Sequence, residues 1–158
     1  MDCCTLTRFH VIGIGSRLMC DDGIGPKLAD ALINDLRKEN FAVMAAETDV
    51  SYALSQIMPD DYIILLDAVI TGATPGSVMI FPLEDMGSAA ELLSLHGMSL
   101  ADALKWGGNR AGGCLIGIEA ARIEPSFGLS PRLAEDFGAI KSNVFKAIQT
   151  VKESCSIG

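Results

Sequence analysis

Tyr62-Ile-Ile-Leu-Leu66 is the stretch that most narrows the folds open to this chain. A nearly continuous apolar run of this length is the mark of a strand covered on both faces in a parallel sheet. Such a strand needs parallel neighbours and helices above and below it. Phe9–Ile14 supplies a first strand, a short β-branched run feeding a tight turn at Gly13 and Gly15. Phe41–Ala46, Val78–Leu83 and Cys114–Ile118 read as further strands.

Between these runs the period changes. From Gly25 to about Lys38, Leu28, Leu32 and Leu36 recur every fourth residue, with Ala29 and Ile33 filling the same face and Pro26 in the first turn. Ser51–Met58 reads as a short helix stopped by Pro59, and Ser99–Trp106 as a helix opened by Ser99 with Asp102 three residues on. Ser130 and Pro131 are the N-cap and first position of a long helix to about Glu153. The alternation predicts an α/β fold, a three-layer α/β/α sandwich. Residues 67–77 are rich in Gly, Thr and Pro, lack helical periodicity and are barely long enough for a crossover, so the fourth strand is expected antiparallel. No linker or repeat divides the chain, and residues 1–158 are expected to form one domain with a flexible segment at 1–7.

Composition excludes several function classes. Hydrophobic residues at 49% and charged residues at 20% describe a folded globular chain. A net charge of −8 lacks the Lys/Arg excess that non-specific nucleic-acid binding needs. The apolar runs are far short of the roughly 20 residues that span a bilayer, and Met1–Arg8 has no secretory h-region. Neither nucleic acid nor membrane is therefore expected as a partner. Five scattered cysteines without CxxC spacing point to a reducing cytoplasm.

The first strand runs into Gly13-Ile-Gly-Ser-Arg-Leu-Met-Cys-Asp-Asp-Gly-Ile-Gly25. A dinucleotide fingerprint would need glycine where Leu18 stands, and no Gly-Lys-Ser/Thr is present for a phosphate loop. Asp21 and Asp22 at the start of the helix would repel phosphate but attract a metal cation. Asp22 alone also suits a helix N-cap, although capping leaves the doublet unexplained. Asp67 stands at the carboxyl end of the buried strand, the edge where open α/β sheets bind ligands; a turn residue before Thr71-Gly72 is the alternative. His96 precedes the Ser99 helix, whereas His10 falls in the first strand at a core or edge position. Two carboxylates and an imidazole are an open-sided donor set for a borderline divalent ion such as nickel or zinc. A solvated or structural His96 is the simpler alternative. No GxSxG elbow is present. A Cys20/His96 pair is conceivable, but Cys20 reads more simply as a loop residue.

Taken together, these motifs resemble those of the hydrogenase maturation endopeptidases. The Gly13–Pro26 loop is similar to the family's G-x-G-N-x-x-x-x-D-[DE]-x-x-G signature, Leu-Leu-Asp67-Ala-Val to its aspartate after a buried strand, and His96-Gly-Met-Ser-Leu-Ala-Asp-Ala-Leu to its histidine before a helix. The likeness extends to Gly128-Leu-Ser-Pro131. Ser16 departs from the usual asparagine, and Glu47-Thr48-Asp49 replaces an Asp-Gly-Gly-Thr-like turn, so no role is carried over for those acids.

The resemblance implies a mixed five-stranded sheet of the phosphorylase/hydrolase-like type, with one antiparallel strand. It implies Asp22, Asp67 and His96 as the metal-contacting and catalytic residues. It also implies an endopeptidase, aspartic-type or metal-dependent, that removes the C-terminal extension of a nickel–iron hydrogenase large-subunit precursor after nickel insertion. The Ni2+ belongs to the substrate, other divalent metals are expected to enter the site in isolation, and a monomer is expected. A non-enzymatic nickel-binding or delivery protein using the same residues is the alternative.

Overall fold

Five strands form one sheet in the computed structural model, which describes residues 8–87 and 112–156. They are β1 (Phe9–Ile14), β2 (Ala42–Glu47), β3 (Tyr62–Val69), β4 (Val78–Pro82) and β5 (Gly113–Glu119), in the spatial order β2-β1-β3-β5-β4. All neighbours are parallel except β4, which runs antiparallel to β5. The expected mixed sheet with a reversed fourth strand is the one observed. The short Gly/Thr/Pro connection turns back directly, using Gly72 and Gly76 at φ of 86° and 87°.

Alternation along the strands sorts the core into two layers. On one face Val11, Ile64, Leu66, Ile116 and Ile118 pack against α1 (Ile24–Lys38) and α3 (Pro131–Ser156). The predicted α1 stripe of Leu28, Leu32 and Leu36 is fully buried there, joined from α3 by Leu133, Ile140, Val144 and Ile148. Each such side chain contributes about 1.5–3 kcal/mol through burial. On the other face Ile12, Ile14, Ile63, Leu65 and Leu115 meet Ala53 and Leu54 of α2 (Val50–Ser55) and Leu83 from a 3-10 turn after β4. The helix expected at Ser99–Trp106 and the segment 1–7 lie outside the described residues. Among the described residues no helix is long and apolar enough to cross a membrane.

Two boundaries differ from the sequence reading. The second helix is shorter than Ser51–Met58, because the Met58 N–H is taken by the Asp61 carboxylate at 2.9 Å instead of by a helical carbonyl. Its start is fixed by Asp49, whose carboxylate accepts from the Tyr52 N–H at 2.9 Å. Asp49→Ala should cost about 1 kcal/mol, read as a lower urea midpoint with an unchanged slope. β3 also runs three residues beyond Leu66, to Val69. Its pairing with β5 continues to Val69↔Glu119, whereas its pairing with β1 stops at Gly13↔Leu66.

One close approach sets the position of α1. A Cβ on Gly25 would collide with the carbonyl oxygens of both Leu66 and Ile14. The first turn of the helix therefore lies directly on the backbones of β1 and β3, with no side chain between them.

Candidate functional site

β2 and β3 flank β1 on opposite sides, so the chain leaves β1 in one direction and returns on the other. The carboxyl ends of β1 and β3 border the resulting crevice. Gly15 turns the chain there with φ of 124°, a conformation that favours glycine. A Cβ at this position would strike the Asp22 carbonyl and lie 3.5 Å from Asp67 Oδ1. Both predicted aspartates thus border the same turn.

Each is held by the backbone. The Ser16 N–H donates to Asp22 Oδ2 at 2.7 Å, and the Ala68 N–H donates to Asp67 Oδ1 at 2.8 Å. Asp22 is 5% exposed and Asp67 is fully buried. Each carboxylate is taken out of water beside the same turn, which is costly unless hydrogen bonds or a cation compensate. The donors fit a divalent ion: hard oxygens on fixed backbone, at a crevice. Among the described residues no three His, Cys, Asp or Glu side chains form a metal-holding group. His96, the third residue expected, lies outside the described residues.

The structure excludes the simpler readings of the two aspartates. Asp22 is not the helix cap: the N-cap of α1 is Gly23, and no side chain caps it. Asp67 is not a turn residue either, since it lies within β3 opposite Gly117. It stands in the strand's overhang rather than past its end, because β5 keeps β3 extended after β1 has departed.

Asp21 has a different task from its neighbour. Fully buried, it accepts from the N–H groups of Ala121, Arg122 and Ser130 and from the Ser130 hydroxyl, at 2.7–2.9 Å. Ser130 also caps α3 through the Leu133 N–H at 3.4 Å. The loop after β1 is thereby fastened to the segment leading into α3. Further backbone bonds from Cys20 to Ser126, Asp21 to Arg122 and Ser126 to Leu18 reinforce the join. Adjacent acids divide the work, Asp21 fastening the loop to the α3 lead and Asp22 accepting from the Ser16 N–H beside the Gly15 turn.

Sequence reasoning missed one further acid, Glu119, and left the role of another, Glu47, open. Glu119, buried at the end of β5, accepts from the Thr71 N–H and hydroxyl and from the Gly72 N–H at 2.7–3.0 Å. It shapes the turn after the Asp67 strand. The available signal was the one used for Asp67, an acid at the carboxyl end of a buried apolar run. Glu47 has φ of 52°, its carbonyl accepts from the Gly15 N–H at 3.0 Å, and its carboxylate pairs with Arg17 at 2.6 Å. Arg17 also meets Asp30 at 2.7 Å. Ser16, in place of the usual asparagine, still shapes the loop by accepting from the Leu18 N–H at 3.3 Å.

The two remaining candidates are structural. His10 is a buried core residue whose Nε2 donates to Asp61 at 2.8 Å, at the opposite edge of the sheet. Burial, and then the neighbouring Asp21 charge, push the Cys20 thiol above its usual range, which disfavours a thiolate nucleophile. Burial pushes the Cys114 thiol up to about 12. Iodoacetamide at pH 8 should therefore label exposed Cys155 while sparing Cys20 and Cys114 until the chain is unfolded. Peptide mass mapping checks this, and rapid labelling of Cys20 would restore it as a nucleophile.

The hydrogenase maturation protease family model matches residues 26–151. That span includes Asp67 and begins after the Asp22 loop. The hydrogenase 2 maturation protease of Escherichia coli strain K12 is 28% identical over 131 residues, covering 78% of this chain and 80% of that protein. Among solved structures, the [NiFe] hydrogenase maturation protease HybD from Thermococcus kodakarensis superposes with a TM-score of 0.70 at 25% identity, covering 89% of this chain and 99% of that one. The hydrogenase maturating endopeptidase HybD from Escherichia coli has the same fold, with a TM-score of 0.71 at 24% identity over 92% of this chain and 94% of that one. With the family model matched over most of its length, this chain belongs to the hydrogenase maturation protease family.

Proposed function

We propose that this protein is the endopeptidase that removes the C-terminal extension of a nickel–iron hydrogenase large-subunit precursor once nickel has been inserted. The observation that carries the proposal is the convergence of buried Asp22 and Asp67 on the Gly15 turn at the β1/β3 crevice, in a chain of this family. Asp22, Asp67 and His96 are its metal-contacting and catalytic residues. The nickel arrives with the substrate, and other divalent ions can take its place on the isolated enzyme. A monomer acting in the cytoplasm completes the reading.

The Ser16 and Ala68 N–H groups orient the two carboxylates. Two negative charges gathered in a buried crevice oppose each other, and a divalent ion reverses that relation. A nickel-loaded precursor gains from relieving the repulsion, while a nickel-free one does not. Metal content thereby becomes a condition for productive docking. Once docked, the substrate's ion supplies Lewis-acid charge beside the scissile bond.

Incubating the protein with nickel-loaded and nickel-free precursor, and weighing the large subunit afterwards, tests this directly. Only the loaded form should become shorter. Equal cleavage of both forms would refute metal licensing. Stoichiometric nickel binding with no change in precursor length would establish the delivery-protein reading instead.

A further inference from the structure

Beside the loop that carries Asp22 lies a cavity of ≈ 270 Å³, lined by Arg17, Cys20, Lys27, Phe127 and Leu129 among others. Cys20 and Gly23 bracket the aspartate doublet, so the cavity backs directly onto the loop bearing Asp22. Its volume has room for one or two side chains and is at the small end for ligand sites, about 300–1,000 Å³.

Two features of its wall select an occupant. The first is apolar. Phe127 is 85% exposed, and Leu18, 58% exposed, stands beside it, because the Met19–Ser126 bridge and the Ser126-to-Leu18 hydrogen bond hold the two segments together. Large apolar side chains fixed outward at the edge of a crevice are characteristic of a protein-docking surface.

The second feature is charge. The chain carries −8 overall, yet the cavity lining contains two cations and no acid. Arg17 is already paired with Asp30 and Glu47. Lys27 is exposed, its ammonium 5.3 Å from the Phe137 ring centroid, and among the described residues no carboxylate forms an ion pair with it. Among the described residues, Lys27 is thus the cation of the lining left without a carboxylate partner.

We infer that this cavity is a docking subsite for an extended segment of the protein substrate, seating an apolar side chain against Phe127 and Leu129 while an adjacent acidic side chain meets Lys27. The inference rests on the proposed proteolytic function and adds where the substrate is gripped.

The test uses processing kinetics on nickel-loaded precursor with the intact protein, Lys27→Glu and Phe127→Ala. Both positions are exposed, so both variants should keep the wild-type melting temperature. The expected result is a KM raised about tenfold in each variant, with kcat within about twofold. In a set of precursors with each acidic residue of the extension changed to Lys in turn, one should restore the KM of Lys27→Glu. A KM unchanged in both variants, with the intact protein active, overturns the subsite and leaves the protease reading standing. A precursor left uncut by the intact protein overturns both. A change in sedimentation of the variants without a change in KM would identify self-association and likewise overturn the subsite.

Discussion

Asp21→Ala should lower stability by about 3–4 kcal/mol, since the fully buried carboxylate anchors the loop after β1. The substitution leaves three backbone N–H groups and the Ser130 hydroxyl without their shared acceptor. A buried donor left unsatisfied costs about 1–3 kcal/mol. Ala121 and Arg122 are exposed enough for water to compensate part of the loss, while Ser130 is not. For a chain of this size the melting temperature should fall by roughly 10 °C. Asp21→Asn should recover little, since an amide brings its own donors to a site that already presents four. A loss under about 1 kcal/mol in urea titrations would show that the loop is held by other bonds.

Asp67→Asn is expected to have the opposite profile. The amide keeps an oxygen for the Ala68 N–H and nearly the same volume, so stability should stay within about 1 kcal/mol of wild type, or rise as a buried charge is removed. If Asp67 holds the substrate's metal as proposed, processing of nickel-loaded precursor should fall on the order of 1000-fold, because that contact loses its anionic donor. His96→Ala should behave similarly. Normal processing by Asp67→Asn would remove this residue from the chemistry. The contrast between Asp21 and Asp67 is informative because both are fully buried acids in the same rim, and burial alone does not distinguish them.

Periodicity carried most of the architecture. The Leu28–Leu32–Leu36 spacing located α1, the continuous apolar run located the central strand, and the short 67–77 connection predicted the reversed strand. Where boundaries slipped, the cause was an interaction between distant residues. Asp61 captured the Met58 N–H and shortened α2, and β5 extended β3. The crevice was legible for a related reason, since strand order and strand ends together say which acids share an edge. Asp21 was seen as half of a doublet, but its role depends on Ala121, Arg122 and Ser130, some hundred positions away. No local pattern announces such partners. Glu47 at positive φ is a similar case, since nothing about a glutamate foretells that backbone.

The contact of Gly25 with the carbonyls of Leu66 and Ile14 has a bearing on how this scaffold can diversify. At this one point helix and strands touch through main chain alone, so any side chain at Gly25 would push them apart, and Asp67 follows Leu66 immediately. The floor of the proposed site is therefore pinned at this contact. On the proposed function, the outer margin, at exposed positions such as Leu18 and Phe127, is where residues can change without disturbing Asp22 and Asp67 beneath.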